Sequence, residues 1–240
     1  MLNQKIAHID LSTGEIKTTL IPLTMRQLYL GGRGIDACLL YTTVNPGIDP
    51  MSPENVILIS AGLLVGTPVP GANRCHISGK SPLTGLVGSM HVGGFFAPEL
   101  RFAGYDHLII TGKSIKPIYL WISDERIEIR DASHLWGKDF YETQKRIKDD
   151  HGESEIQVLG IGMAGENLVK IASIITSAGN TGSQTGMGAV MGSKNLKVIA
   201  VKGKQDLPID RPEESLAYYQ QTNTKILAGK WAQALSKQGH

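Results

Sequence analysis

Arg74, His91 and the glycine-dense run Ser177–Gly192 are the places where residue type and spacing suggest chemistry. Gly186, Gly188 and Gly192 fall within the first eight residues of "TGMGAVMGSKNLKVIAVKG", Thr185 to Gly203. Each costs roughly 1 kcal/mol relative to alanine in a helix interior, so something must lie close to bare main chain here. Two other segments share this character, "GANRCHISGKSPLTG" (Gly71 to Gly85) and "HVGGFF" (His91 to Phe96). Gly-rich backbone that feeds a helix N-terminus presents unpaired N–H groups at the positive end of the helix dipole, which suits a phosphate or pyrophosphate. Tight turns and close packing of helix on sheet also account for such glycines, and both readings stay open at this point. Arg74 closes a Pro- and Gly-rich loop at the mouth of a predicted strand. Its fixed fork of donors fits an anionic or carbonyl-bearing ligand, or a surface salt bridge. His91 stands just before the pair Gly93-Gly94.

Other chemistries find less support. "GMGAVMG" has the first two glycines of the dinucleotide fingerprint but misses the third by one residue, and the next strand ends in Lys202 rather than an acid. Both "GKS" triplets, Gly79–Ser81 and Gly112–Ser114, lack the earlier glycine of a phosphate-binding loop. No G-x-S-x-G occurs, and the histidines are scattered without i, i+3 or i+4 pairing. Cys38 and Cys75 are the only cysteines, with no C-x-x-C spacing, so this chain alone builds neither a disulfide framework nor an iron–sulfur or zinc site. They read as ordinary thiols.

The elements that must position these residues follow from pattern. With 240 residues, 41% of them hydrophobic, the chain can bury a sizeable core as one large domain, or one domain plus the start of another. A formal charge of +2 and the absence of any run of five like charges argue against nucleic-acid or membrane-surface partners. No basic leader with an apolar core opens the sequence and no 18-residue apolar window occurs, so a cytoplasmic protein is expected. Alternation on both sides of Ser12-Thr13-Gly14 and of Asp124-Glu125 predicts two β-hairpins. Helices are expected over 25–30, 35–44, 139–150 and 185–192 and within 91–106. Strands are expected in "NVILISAG", "RCHISGK", "HLIITGK", "IQVLGIG", "LVKIASIITS" and over 196–202, with a helix held open for the fifth of these. "FAGYDHLIITGKS" (Phe102 to Ser114) and "VMGSKNLKVIAVKGK" (Val190 to Lys204) echo one another, each preceded by a glycine-rich loop. Such an echo implies two similar β-layers related by an approximate twofold. Beyond Pro208 the pattern turns helical, which places a boundary there: 1–207 as one domain and 208–240 as the beginning of a truncated helical one.

Taken in order, "GGRGIDACLLY", "MSPEN", "NRCHISGKSPLTG", "GGFFAPELRFAGYD", "DASHLWG", "GMAGENLVKIASI" and "TGMGAVMGSKNLKVIAV" resemble the N-terminal domain of the tungsten-containing aldehyde ferredoxin oxidoreductases, over almost the whole chain to about residue 205. The resemblance implies an α+β fold of two β-sheets related by a pseudo-twofold. It also implies a saddle for a tungsten (or molybdenum) bis-molybdopterin cofactor, with Mg2+ bridging the pterin phosphates. By the same resemblance Arg74 bonds the pterin, and Gly93 and Gly94 line it. Main-chain carbonyls of His91 and Thr181 reach the magnesium, and Asn180, Thr181, Gly182 and Ser183 form the matching loop of the second half. His91 and Asn180 depart from the family's usual asparagine and arginine, a change that backbone ligation tolerates and that puts the side-chain roles at both positions in question.

The cysteines of the family's [4Fe–4S] cluster and its acid–base residues belong to C-terminal helical domains, so the chain is expected to be an N-terminal fragment that is inactive alone. The implied partners are an aldehyde substrate, ferredoxin and the missing C-terminal domains, with a homodimer compatible. The competing readings are a non-catalytic pterin-binding subunit or scaffold that needs a partner chain, and a simple nucleotide- or phosphate-binding protein.

Overall fold

The computed structural model describes residues 4–182 and 184–238. The first half runs β1 (Lys5–Asp10), β2 (Ile16–Leu20), α1 (Leu23–Tyr29), α2 (Arg33–Thr43), β3 (Ile57–Ala61), β4 (Cys75–Lys80), β5 (Val87–Val92), α3 (Phe96–Phe102) and β6 (His107–Thr111). The second half is β7 (Ile118–Ser123), β8 (Arg126–Asp131), α4 (Phe140–His151), β9 (Gln157–Gly160), α5 (Met163–Glu166), β10 (Ile174–Thr176), β11 (Thr181–Gly182), α6 (Met187–Ser193) and β12 (Leu196–Lys202). Two helices follow, α7 (Pro212–Leu227) and α8 (Lys230–Gln238).

The strands form two six-stranded sheets, ordered β2-β1-β6-β3-β4-β5 and β11-β10-β9-β12-β7-β8. Read from the hairpin end, the second sheet repeats the first strand for strand. In each, the inner hairpin strand pairs parallel with the last strand of its half (β1 with β6, β7 with β12), and every other pairing is antiparallel. This duplication is the α+β arrangement of two related sheets that the repeated segments implied. The two echoing stretches supply the equivalent strands β6 and β12.

Alternation along each strand explains the layering. In β3, Ile57 and Ile59 face a core shared by both sheets, while Leu58 faces Ile35, Leu39 and Leu40 of α2 on the outside. The shared core also takes Phe96 and Leu100 from α3 and Met187, Val190 and Met191 from α6. On the second sheet Val158, Val198 and Ala200 face outward against Phe140 and Ile147 of α4. Asp139 caps α4, accepting a hydrogen bond from the Glu142 N–H at 2.8 Å.

Both predicted hairpins form, the second turning on Asp124 and Glu125, each at positive φ as a tight two-residue turn demands. Several elements differ from the sequence reading, which expected neither the short α5 nor β11. β5 was not anticipated, because Gly88, Ser89 and Met90 mask its alternation. The strand expected in "LVKIASIITS" shrinks to Ile174–Thr176. Leu168 at φ 56° and the turn bonds from Val169 N–H to Ala164 O and from Ala172 N–H to Val169 O use the preceding main chain otherwise.

Candidate functional site

β5 and β11 hold equivalent places in the two sheets and pack against each other. Gly182 makes that approach feasible, since a Cβ there would lie 2.7 Å from the Met90 sulfur. The adjoining loops are tied together by Thr176, which is 1% exposed: its Oγ1 donates to the Gly93 carbonyl at 3.1 Å, and its N–H donates to the Asn180 carbonyl at 2.9 Å. A Cβ on Gly93 would sit 3.4 Å from Asn180 Cγ and 3.6 Å from Arg74 Nη1. Gly94 adopts φ 100°, a left-handed value that glycine tolerates, and faces Thr176 and Ala178. The fold thus gathers Arg74, Gly93, Gly94 and Asn180 from both halves, with Thr181 exposed at the start of β11. Ser183 lies outside the described residues.

The face is open and positively charged. Arg74, His91, Asn180 and Thr181 are all exposed. Among the described residues the Arg74 guanidinium has no hydrogen-bond or ion-pair partner, so the surface salt bridge considered above does not form there. His91 pairs in register with His76 across β4 and β5, with ring centroids 4.8 Å apart. Burial, followed by the charges of His76, Arg33 and Arg74, holds the His91 imidazole below its ordinary pKa, with Asp36 pulling the other way. Two arginines thus bear on one imidazole beside bare main chain. An anion placed there would offset that charge.

Not every glycine that drew notice serves this face. A Cβ on Gly188 would lie 2.6 Å from the Ser173 carbonyl oxygen and 2.7 Å from that of Ala172, and Gly186 and Gly192 lie as tightly on the carbonyls of Lys170 and Gly165. In "TGMGAVMG" the close neighbour is therefore the chain's own backbone, and α6 is glycine-rich because it packs on residues 165–173. Of the two accounts left open by the sequence, packing holds for α6, whereas a Cβ on Gly93 would make only ordinary contacts.

One polar cluster escaped the sequence reading. Asp36 is fully buried and accepts hydrogen bonds from Ser60 Oγ at 2.5 Å, His76 Nδ1 at 2.5 Å and His107 Nδ1 at 2.9 Å. Burial alone would raise its pKa, but the bonds and charges of His107 and His76 hold the carboxyl below the usual range. Three histidines that looked scattered, His76, His91 and His107, thus gather around one acid. The available signal was Asp36 itself, an acid within the apolar stripe of α2. Cys75 is buried, and burial followed by the Asp36 charge pushes its thiol upward, leaving an unreactive side chain. Cys38, on α2, is half-buried.

The model of the aldehyde ferredoxin oxidoreductase N-terminal domain matches residues 6–203. This chain belongs to that family. It is 46% identical over 205 residues to the tungsten-containing aldehyde ferredoxin oxidoreductase of Pyrococcus furiosus, an alignment covering 85% of this chain and 34% of the relative. The same organism's aliphatic sulfonate oxidoreductase, WOR-like subunit, is 35% identical over 221 residues, covering 86% of this chain and 35% of that one. Among solved structures, the active-site complex BamBC of benzoyl-coenzyme A reductase, bound to 1,5-dienoyl-CoA, superposes with a TM-score of 0.88 at 44% identity. That match covers 90% of this chain and 33% of that chain. The chain spans about a third of the length of the relatives it matches. These relatives are oxidoreductases, and the fold of this family's N-terminal domain is the duplicated sheet arrangement described above.

Proposed function

We propose that this chain supplies the cofactor-binding N-terminal part of a tungsten (or molybdenum) bis-pterin oxidoreductase that converts aldehydes to carboxylates with ferredoxin as electron acceptor. The observation that carries the reading is the junction of the two halves, where Arg74, without an acid partner among the described residues, stands near the bare main chain of Gly93 and Asn180. Those residues fit a phosphate-bearing planar group: charge to meet phosphate, missing side chains to admit a ring system, and exposure to receive both. When bound, such a group supplies the two-electron redox chemistry at its metal. Arg74 would bind the pterin through charge-assisted hydrogen bonds, Gly93 and Gly94 would line it, and Asn180, Thr181 and Gly182 would form the matching loop. The carbonyls of His91 and Thr181, on equivalent strands of the two halves, would hold the Mg2+ that accompanies the cofactor. Thr176 keeps the two loops in register by its bond to Gly93.

On this reading residues 1–207 are the cofactor domain and 208–240 open a helical one. The family match ends at 203, and α7 buries none of its side chains. Neither cysteine serves a [4Fe–4S] cluster, so cluster ligands, acid–base residues and the choice of substrate come from sequence beyond this chain, which alone does not turn over aldehyde. The test is Arg74→Ala in the natural protein that contains this chain. The variant should retain at most about a tenth of the wild-type tungsten or molybdenum, if losing the contact costs the 1.5–3 kcal/mol of a charged hydrogen bond. Wild-type metal content together with wild-type ferredoxin reduction would refute the role.

A further inference from the structure

Arg33 belongs to none of the assignments above, yet its placement is as telling as that of Arg74. It opens α2 directly after Gly32, which adopts φ 51° and lies so near the end of β3 that a Cβ would meet Gly62 Cα at 3.3 Å. The entrance of α2 is therefore seated on the sheet that carries β4 and β5. Asp36 follows Arg33 at i+3, on the same side of the helix. Its buried carboxylate is bonded to His76 on β4 and to His107 on β6, and His76 is in ring contact with His91. One turn back along that side stands the Arg33 guanidinium, exposed and without a hydrogen-bond or ion-pair partner among the described residues. Ala61, the residue before Gly62, pairs in register with Cys75, the residue after Arg74, so the entrance of α2 stands at the end of β4 that carries Arg74. The buried Asp36 carboxylate is already committed to three hydrogen bonds, from Ser60, His76 and His107.

We propose that Arg33 is a second cationic clamp of the open face, which together with Arg74 brackets His91 and binds the phosphate or pyrophosphate portion of its ligand. The inference rests on the reading of that face as an anion-binding site. Two guanidinium groups on separate elements hold an extended dianion at two points, which fixes its orientation as one group cannot. Asp36 locks α2 onto β4 and so sets the distance between the two clamps.

Inorganic pyrophosphate is the probe, titrated calorimetrically into the 240-residue chain at low and moderate salt. The variants are Arg33→Met, Arg74→Met and Arg126→Met, the last removing an exposed charge on β8 as a control for net charge. Arg33→Met and Arg74→Met should each weaken binding by about tenfold or more, as loss of one charged hydrogen bond implies, and each should flatten the salt dependence. Arg126→Met should change affinity by less than about twofold, as expected for a distant screened charge. If Arg74→Met loses affinity while Arg33→Met binds like wild type, the clamp role of Arg33 is overturned and the face reading stands. If wild type shows no binding, or all three variants behave alike, both are overturned.

Discussion

Replacing Gly188 and, separately, Gly93 by alanine should give opposite results, although helix propensity alone would favour alanine at the first. At Gly188, which lies inside α6, the new methyl would stand 2.6 Å and 2.7 Å from two main-chain oxygens, those of Ser173 and Ala172. Neither can step aside as a side chain would, so the strain falls at the upper part of the 1–3 kcal/mol typical of overpacking, against a gain of roughly 0.5–1 kcal/mol for removing a helix glycine. The net cost is about 2 kcal/mol, or about 4–8 °C in Tm at the sensitivity expected for a domain of this size. At Gly93 the methyl meets nothing closer than Asn180 Cγ at 3.4 Å, an ordinary contact, so stability should stay within about 0.5 kcal/mol of wild type. The ligand should feel it instead. Differential scanning calorimetry of the 240-residue chain gives the stabilities, and pyrophosphate titration below the melting range gives the binding. Gly93→Ala should bind more weakly, whereas Gly188→Ala, where folded, should bind like wild type. A Gly188→Ala protein that melts at or above the wild-type temperature would refute the packing argument. A Gly93→Ala protein less stable than Gly188→Ala would refute the division of the glycines into two kinds.

Two further outcomes follow from buried and half-buried polar groups. The fully buried Lys194 donates to the carbonyls of Pro53 at 3.2 Å, Asn55 at 2.5 Å and Gly112 at 3.0 Å, so Lys194→Met should strand these acceptors and cost about 3 kcal/mol in urea-unfolding free energy. An unchanged midpoint would show that the ammonium is not what joins these loops. His151, tilted against Trp121 at 4.0 Å between centroids, has its pKa lowered first by burial and then by Arg130, with Asp150 and Glu128 pulling the other way. Its folded-state pKa is below the free value of 6.5, so the unfolded chain takes up the proton first. The stability it contributes is complete above pH 6.5 and is lost as pH falls through the folded pKa. Denaturation midpoints between pH 7 and 5 should therefore fall less steeply in His151→Gln than in wild type, and equal slopes would contradict this.

Local rules carried the reading of the sequence a long way where an element is decided by its own residues. The hairpin at Asp124-Glu125, the capped helix after Asp139 and β3, apolar but for Ser60, all follow from short-range pattern. β5 did not, because its side chains are small where α6 presses on it: a Cβ on Gly88 would meet Met187 and Thr185 at 3.0 Å. The features that make it fit its neighbour erase its pattern. The same holds for the site. That Gly93 and Asn180 lie together is a consequence of the duplication, which the echo of "FAGYDHLIITGKS" in "VMGSKNLKVIAVKGK" hinted at. The bond from Thr176 to Gly93, by contrast, has no signal in composition or spacing. Asp36 could have been found, since an ionisable residue in an apolar stripe needs buried partners. Its three partners come from β3, β4 and β6, and only the folded chain names them.

The most direct test is the position of the metal in crystals of the natural protein that contains this chain, located by anomalous scattering at the tungsten or molybdenum edge. The account predicts a single heavy-metal peak beside the junction of residues 91–94 with residues 176–182, with ligand density lying against Gly93 and Gly94 and reaching Arg74. A peak elsewhere in the protein, or a 91–94 loop buried under polypeptide with no ligand against it, would contradict the account.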